Sequence, residues 1–311
     1  MCKTTKRLSG GDDLKNAASI KSQIKYRAKK EKRDVQDMFI LYVLEKILFR
    51  ISISKYKKQF ILKGGCLLYG LFDEQYTRTT TDIDLLGIRI SNDAEYMKKV
   101  FLEILSIEHD DAIKFDINTL SAKNITEFKE YHGVNISAMA YLDRTRIPIN
   151  IDIGYNDIIF PEKKIMNYPT ILNDEAPVIY VYSNESIIAE KFEAIVSLGV
   201  VNSRYKDFYD ICTLANHFNF KGAILKQAIV ETFNHRGTSF DRIVIFEDGF
   251  ADDTYRKGRW AGFIKTKRAD TILTLEEAIL FIKSFIEPVV FSIKNNKSFK
   301  KTWNHSEKKW I

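Results

Sequence analysis

Residues 60–90 read FILKGGCLLYGLFDEQYTRTTTDIDLLGIRI. Phe60-Ile61-Leu62 is short and wholly apolar, the pattern of a buried strand. Gly64-Gly65 ends it, and residues 66–72 read as a helical turn. Residues 81–90 alternate at first and then become continuously apolar, as a core strand does. Strand, glycine turn, helix and second strand, in this order, predict helices laid against a sheet.

Within the second strand Asp82 and Asp84 stand two apart. Residues so spaced in a strand face the same side, which brings both carboxylates together. Two like charges held that close are costly unless a cation lies between them. Mg²⁺ or Mn²⁺, hard ions that take carboxylate oxygen, meet that need. Asp152, in Ile149-Asn150-Ile151-Asp152-Ile153, is a third candidate ligand. If its strand lies beside the first, the three form a metal site suited to in-line phosphoryl chemistry.

A bare D-x-D usually marks only a strand edge in water, so the surroundings decide its weight. Gly64 and Gly65 open a helix, where bare backbone N–H groups bind anions and glycine admits a phosphate closely. Arg78 and Thr80 precede Asp82 at alternating positions, offering a guanidinium and a hydroxyl on the same face. Glycine turn, helix start and carboxylate pair together describe a nucleoside triphosphate (NTP) site.

Outward from this stretch, residues 13–33 are polar, basic and helical in pattern. Residues 34–53 form a strongly apolar helix with Asp34 as its N-cap. An amphipathic helix follows at 94–107, and strands at 111–117, 133–142 and 148–153. The composition changes after about residue 177. Residues 178–182 are extended, and helices are predicted at 183–198, 207–218, 221–234 and 275–293. Ser183 caps the first of these, and Pro288 kinks or interrupts the last. The expected division is a basic N-terminal segment (1–33), a mixed-sheet core (34–177), a mainly helical C-terminal domain (178–293) and a basic tail (294–311).

The helical part carries a second polar cluster. In Ala189-Glu190-Lys191-Phe192-Glu193-Ala194, Lys191 sits beside the apolar face, where its stem can lean over the core and its ammonium can enter a cleft. There it would neutralise phosphate charge, although most lysines are simply solvated. Asp207 and Asp210 share one face of the helix that follows Ser203. Placed at its start, they can serve the helix dipole and nothing more.

The chain has 311 residues and a net charge of +7. Residues 21–33 carry +6 and residues 294–311 carry +5, leaving −4 for the rest. Basic ends around an acidic middle suit a protein that attracts a polyanion and concentrates metal ligands. Phe299, Trp303 and Trp310 interleave with lysines in the tail; they either stack on bases or dock the tail on the body. Cys2, Cys66 and Cys212 are few and odd in number, which argues for a reducing, cytoplasmic setting. No apolar run reaches the ~18 residues of a membrane span, and the N-terminus lacks a signal-peptide core. The five histidines show no zinc spacing, and there is no G-x-S-x-G of a serine hydrolase.

Four segments, in this order, resemble the AbiEii/MenT-like nucleotidyltransferase toxins. They are Phe60-Ile-Leu-Lys-Gly-Gly65, Arg78-Thr-Thr-Thr-Asp-Ile-Asp-Leu85, Ala189-Glu-Lys-Phe-Glu-Ala194 and Arg204-Tyr-Lys-Asp-Phe-Tyr-Asp210. The resemblance covers about residues 22–263 and includes Phe233-Asn-His-Arg-Gly-Thr238 and Trp260-Ala-Gly-Phe263. It implies an α+β fold: a polymerase-β-like nucleotidyltransferase core with a mixed sheet, plus a helical C-terminal part. It implies Asp82 and Asp84 as metal ligands, Thr80 near the phosphates and Lys191 on the triphosphate. The acid needed for activity would be Asp207 or Asp210, with Asp207 preferred for its basic lead-in, Arg204-Tyr-Lys206. It also implies a toxin held by a cognate antitoxin, often in phage defence, that adds nucleotides to the acceptor end of tRNA and blocks translation. Two alternatives keep part of this picture: nucleotidyl or phosphoryl transfer to a protein partner, or a non-catalytic module that binds GTP or nucleic acid.

Overall fold

The computed structural model describes residues 16–72, 79–126, 132–266, 269 and 273–311. The chain starts with α1 (Ala17–Lys30) and α2 (Val35–Ile53). Asp34 caps α2 by accepting from the amides of Gln36 and Asp37. Residues on every side of α2 are buried, including Glu45, Lys46 and Arg50. These three do not expose a polar stripe; they are paired inside, as buried charges must be. Lys46 lies 2.5 Å from both Glu45 and Asp174, and Arg50 lies 2.5 Å from Asp111.

Next come β1 (Phe60–Lys63), α3 (Gly64–Leu71), β2 (Ile83–Gly87) and α4 (Ala94–Leu105), then β3 (Ile113–Thr126), β4 (His132–Leu142), β5 (Thr145–Tyr155), β6 (Lys164–Asn167) and β7 (Val178–Val181). Among the described residues these strands make one seven-stranded sheet in the order β3-β4-β5-β2-β1-β7-β6. The sheet is mixed: β2 runs parallel to β5, and β1 parallel to β7, while β1 and β2 are antiparallel. Helices α2 and α4 pack on it. Val178–Val181, which sequence reading places at the start of the helical half, is therefore a strand of the core sheet.

The remaining elements are α5 (Asn184–Leu198), α6 (Tyr205–His217), β8 (Phe220–Lys221), α7 (Gly222–Arg236), α8 (Thr254–Thr266), α9 (Leu275–Lys294), β9 (Thr302–Asn304) and β10 (Lys309–Trp310). Ser183 caps α5 by accepting from the amide of Ser186. Helix α9 runs unbroken past Pro288. Phe192, Phe208, Phe233 and Phe285 are fully buried among these helices. The tail is part of that core: β9 and β10 join β8 in a small sheet. Trp303 is fully buried and donates to the Ala215 carbonyl at 2.7 Å. Trp310 stacks on Phe285 with centroids 5.7 Å apart. Of the two roles open to the tail aromatics, Trp303 and Trp310 take the docking one. No described helix is long and apolar enough to cross a membrane.

Candidate active site

Strand β5 explains where the third carboxylate points. Ile147, Ile149, Ile151 and Ile153 are buried, so Asp152 between them lies on the opposite face. Strand β2 lies beside β5 with Asp84 directly opposite Asp152. Asp82 precedes β2 by one residue, and its carboxylate still turns to the same place. One oxygen from each of Asp82, Asp84 and Asp152 lies within 4.8 Å of the other two.

The neighbours hold these groups in position. On β4, Asn135 is the register partner of Asp152 and donates to its Oδ1 at 2.7 Å. The Thr80 hydroxyl and the Thr81 amide both approach Asp82 Oδ1, at 3.4 and 3.3 Å. Gly64 begins α3 at φ +67°, and a Cβ built there would lie 1.7 Å from Asp84 Oδ2. The glycine is needed because the Asp84 carboxylate rests against its backbone. The close approach it permits is first of all to Asp84.

Burial, and then the Asp82 charge, push the Asp84 carboxyl above its ordinary range; Lys63 and Lys206 pull it back and Asp152 adds to the rise. Three crowded carboxylates of this kind are a fitting donor set for a small hard divalent ion, which would relieve their repulsion. The start of α3 lies next to them. Its N-cap residue is Lys63, whose side chain makes no capping hydrogen bond, since an ammonium has no acceptor to offer. The first amides of α3 thus have no side-chain cap, as an anion site requires.

Two further clusters follow, the first joining the helical part to this sheet and the second lying between α5 and α6. Lys63, opposite Asp84 on β1, reaches away to Asp157 at 2.5 Å and Glu190 at 3.4 Å. Arg236, at the end of α7, closes the group, lying 2.8 Å from Asp157, 3.6 Å from Glu190 and 2.8 Å from Glu193. The Tyr182 hydroxyl donates to Glu190 at 3.0 Å. Burial works against the charge on Lys63, yet Glu190 and Asp157 keep its amine above the ordinary lysine range. Asp157 is likewise buried, but Lys63 and Arg236 draw its carboxyl well below the usual range. In the other cluster Lys191 lies 2.6 Å from Asp210 and 3.1 Å from Asp207, both fully buried. Arg204 binds the second oxygen of Asp207 at 2.7 Å.

A family model described as "Nucleotidyl transferase AbiEii toxin, Type IV TA system" matches residues 46–279. The chain belongs to the AbiEii toxin family. It is accordingly a nucleotidyltransferase of the toxin–antitoxin type, using an NTP and paired with an antitoxin. No curated protein matches the sequence. Among solved structures, a nucleotidyltransferase candidate from H. pylori is 13% identical, with a TM-score of 0.50 over 85% of this chain and 99% of that one. JHP933 from Helicobacter pylori is 14% identical, with a TM-score of 0.47 over 84% and 94% of the two chains. The first likeness bears on fold, and it agrees with the nucleotidyltransferase core and helical part expected for an AbiEii toxin.

Of the residues singled out in the sequence, Asp82, Asp84, Asp152, Thr80 and Gly64 meet at one place, and Gly65 lies in the first turn of α3. Lys191 and Asp207 meet each other in the helical part. Arg78 lies outside the described residues. Sequence reading gave no role to Asn135, Lys63 or the Asp157–Glu190–Glu193–Arg236 group, and saw Lys206 only as part of the lead-in to Asp207. Lys63, Glu190 and Arg236 lie inside segments that carry the AbiEii resemblance, and that was the one signal pointing to them.

Proposed function

We propose that the protein holds Mg²⁺ or Mn²⁺ on Asp82, Asp84 and Asp152 and transfers a nucleoside monophosphate from an NTP to an RNA 3′ end. The acceptor in this reading is the acceptor end of tRNA, so that translation stops. The observation that carries it is the carboxylate trio, one oxygen of each within 4.8 Å of the others, beside the side-chain-uncapped start of α3. A bound divalent ion there supplies charge neutralisation for the triphosphate and activates the attacking hydroxyl. Asn135 keeps Asp152 turned toward the site, and Gly64 leaves Asp84 its place. The α3 amides, including that of Gly65, and the Thr80 hydroxyl donate to phosphate oxygens, with Arg78 as a further phosphate ligand. Lys191 offers its ammonium to the triphosphate while Asp207 orients it. The RNA 3′ oxygen bonds to the α-phosphorus and pyrophosphate leaves.

The +6 segment at residues 21–33 and the basic tail favour a polyanionic acceptor over a protein one. An enzyme with this acceptor works in the cytoplasm, with its antitoxin holding it in check until phage infection or another stress. Incubating the protein with each labelled NTP, Mg²⁺ and total tRNA tests the reading. Label is expected on RNA with one or more NTPs, and RNA binding should weaken steeply with salt. Label on protein and none on RNA would transfer the chemistry to a protein acceptor.

A further inference from the structure

The segment that joins α5 to α6 has two sides. One turns to α6, where Arg204 binds Asp207 at 2.7 Å. The other, with α8, encloses a cavity of about 180 Å³ lined by Val200, Val201, Tyr205, Tyr255, Arg256 and Arg259 among others. Its wall is a built feature. Arg256 donates to the Val200 carbonyl at 3.0 Å, pairs with Asp253 at 3.3 Å and lies over the Phe250 ring at 4.3 Å, fastening the segment to α8. Its floor is the buried Tyr205, set edgewise on Trp260 at 6.3 Å.

Three of the lining side chains are apolar or aromatic and open to solvent. Val201 is 77% exposed, Tyr255 71% and Val200 57%. Single exposed apolar side chains are ordinary, but three around one cavity mark a binding surface. Arg259 lies over the Tyr255 ring at 5.7 Å and donates to its hydroxyl at 3.4 Å, which leaves most of its guanidinium facing outward. The volume is below the ~300 Å³ at which whole-ligand pockets begin, so it suits one flat group and not a complete nucleotide. Asp253 also lines the cavity but is paired with Arg256, so an aromatic ring, apolar side chains and the Arg259 cation remain for an unstacked base and its phosphate.

We propose that this cavity seats one base of the single-stranded end of the acceptor RNA, stacked on Tyr255, with Arg259 on an adjoining phosphate. The inference rests on the RNA-acceptor reading above.

The test uses the full chain, labelled NTP and an RNA with a single-stranded 3′ end. Tyr255→Ala should raise the KM for RNA about tenfold, leave the KM for NTP unchanged, and be rescued by Tyr255→Phe. Arg259→Ala should lower the slope of log affinity against log salt by about one. If the wild type labels RNA and both alanine variants keep its RNA KM, the cavity assignment is overturned while the acceptor reading stands. If the wild type labels no RNA, both are overturned. An unchanged RNA KM with lost neutralisation by the antitoxin would assign the surface to that protein and overturn the base site.

Discussion

The carboxylates on the sheet and those on α6 are held in opposite ways. Asp82, Asp84 and Asp152 crowd together partly exposed, and the described cations near them, Lys63 and Lys206, act on Asp84 through the field. Asp207 and Asp210 are fully buried, each against a cation within 3.1 Å. The first group carries an excess of negative charge that an external cation can satisfy. The second is compensated from within. Removing a carboxylate from the first relieves repulsion, whereas removing a partner from the second leaves a charge buried without its mate. Function and stability should therefore separate in one region and fall together in the other.

The largest expected effect is on catalysis at the sheet. On the proposed metal site, Asp84→Asn should lower nucleotidyl transfer by about 10³-fold or more, the loss of several kcal/mol of transition-state charge stabilisation. Its thermal midpoint should be unchanged or higher. Lys191→Met should behave differently, losing about 3–5 kcal/mol of stability in urea unfolding together with activity. A Lys191→Met protein as stable as wild type would break the contrast.

Gly64→Ala tests the contact between the two glycine-turn elements and the trio. The new Cβ meets Asp84 Oδ2, and the residue would also keep a left-handed φ. A cost of about 1–3 kcal/mol is expected, with transfer falling more than stability explains. Asn135→Ala should be the mildest, weakening divalent-metal affinity about 10–100-fold by freeing Asp152 to turn. Metal titration of the folded variant checks it; equal affinity would show that Asn135 does not orient the ligand.

These two regions also differ in how far they could be read from sequence. The strand pattern of Asp82-Ile-Asp84, the glycine turn and the alternation around Asp152 are local, and a period of two fixes the face on which each side chain lies. Whether Asp152 joins Asp84 depended on β5 pairing beside β2, a long-range fact that the chain meets with the two aspartates in direct register. The helix caps at Asp34 and Ser183 were legible for the same local reason. Lys191 illustrates the opposite case. Its position beside an apolar face was visible, but its two carboxylate partners lie 16 and 19 residues away on another helix. The Lys63–Asp157 and Lys63–Glu190 contacts span 94 and 127 residues, and no periodicity encodes such pairings. Trp303 and Trp310 look like surface aromatics because lysines surround them; only the small sheet formed with β8 turns them inward.

Direct Mn²⁺ binding, followed by electron paramagnetic resonance in wild type and Asp84→Asn, tests most directly whether the sheet carboxylates await a cation. Wild type should take up Mn²⁺, and the variant should lose that uptake while keeping its thermal midpoint. Equal uptake by both proteins would contradict the assignment of Asp82, Asp84 and Asp152 as the metal site.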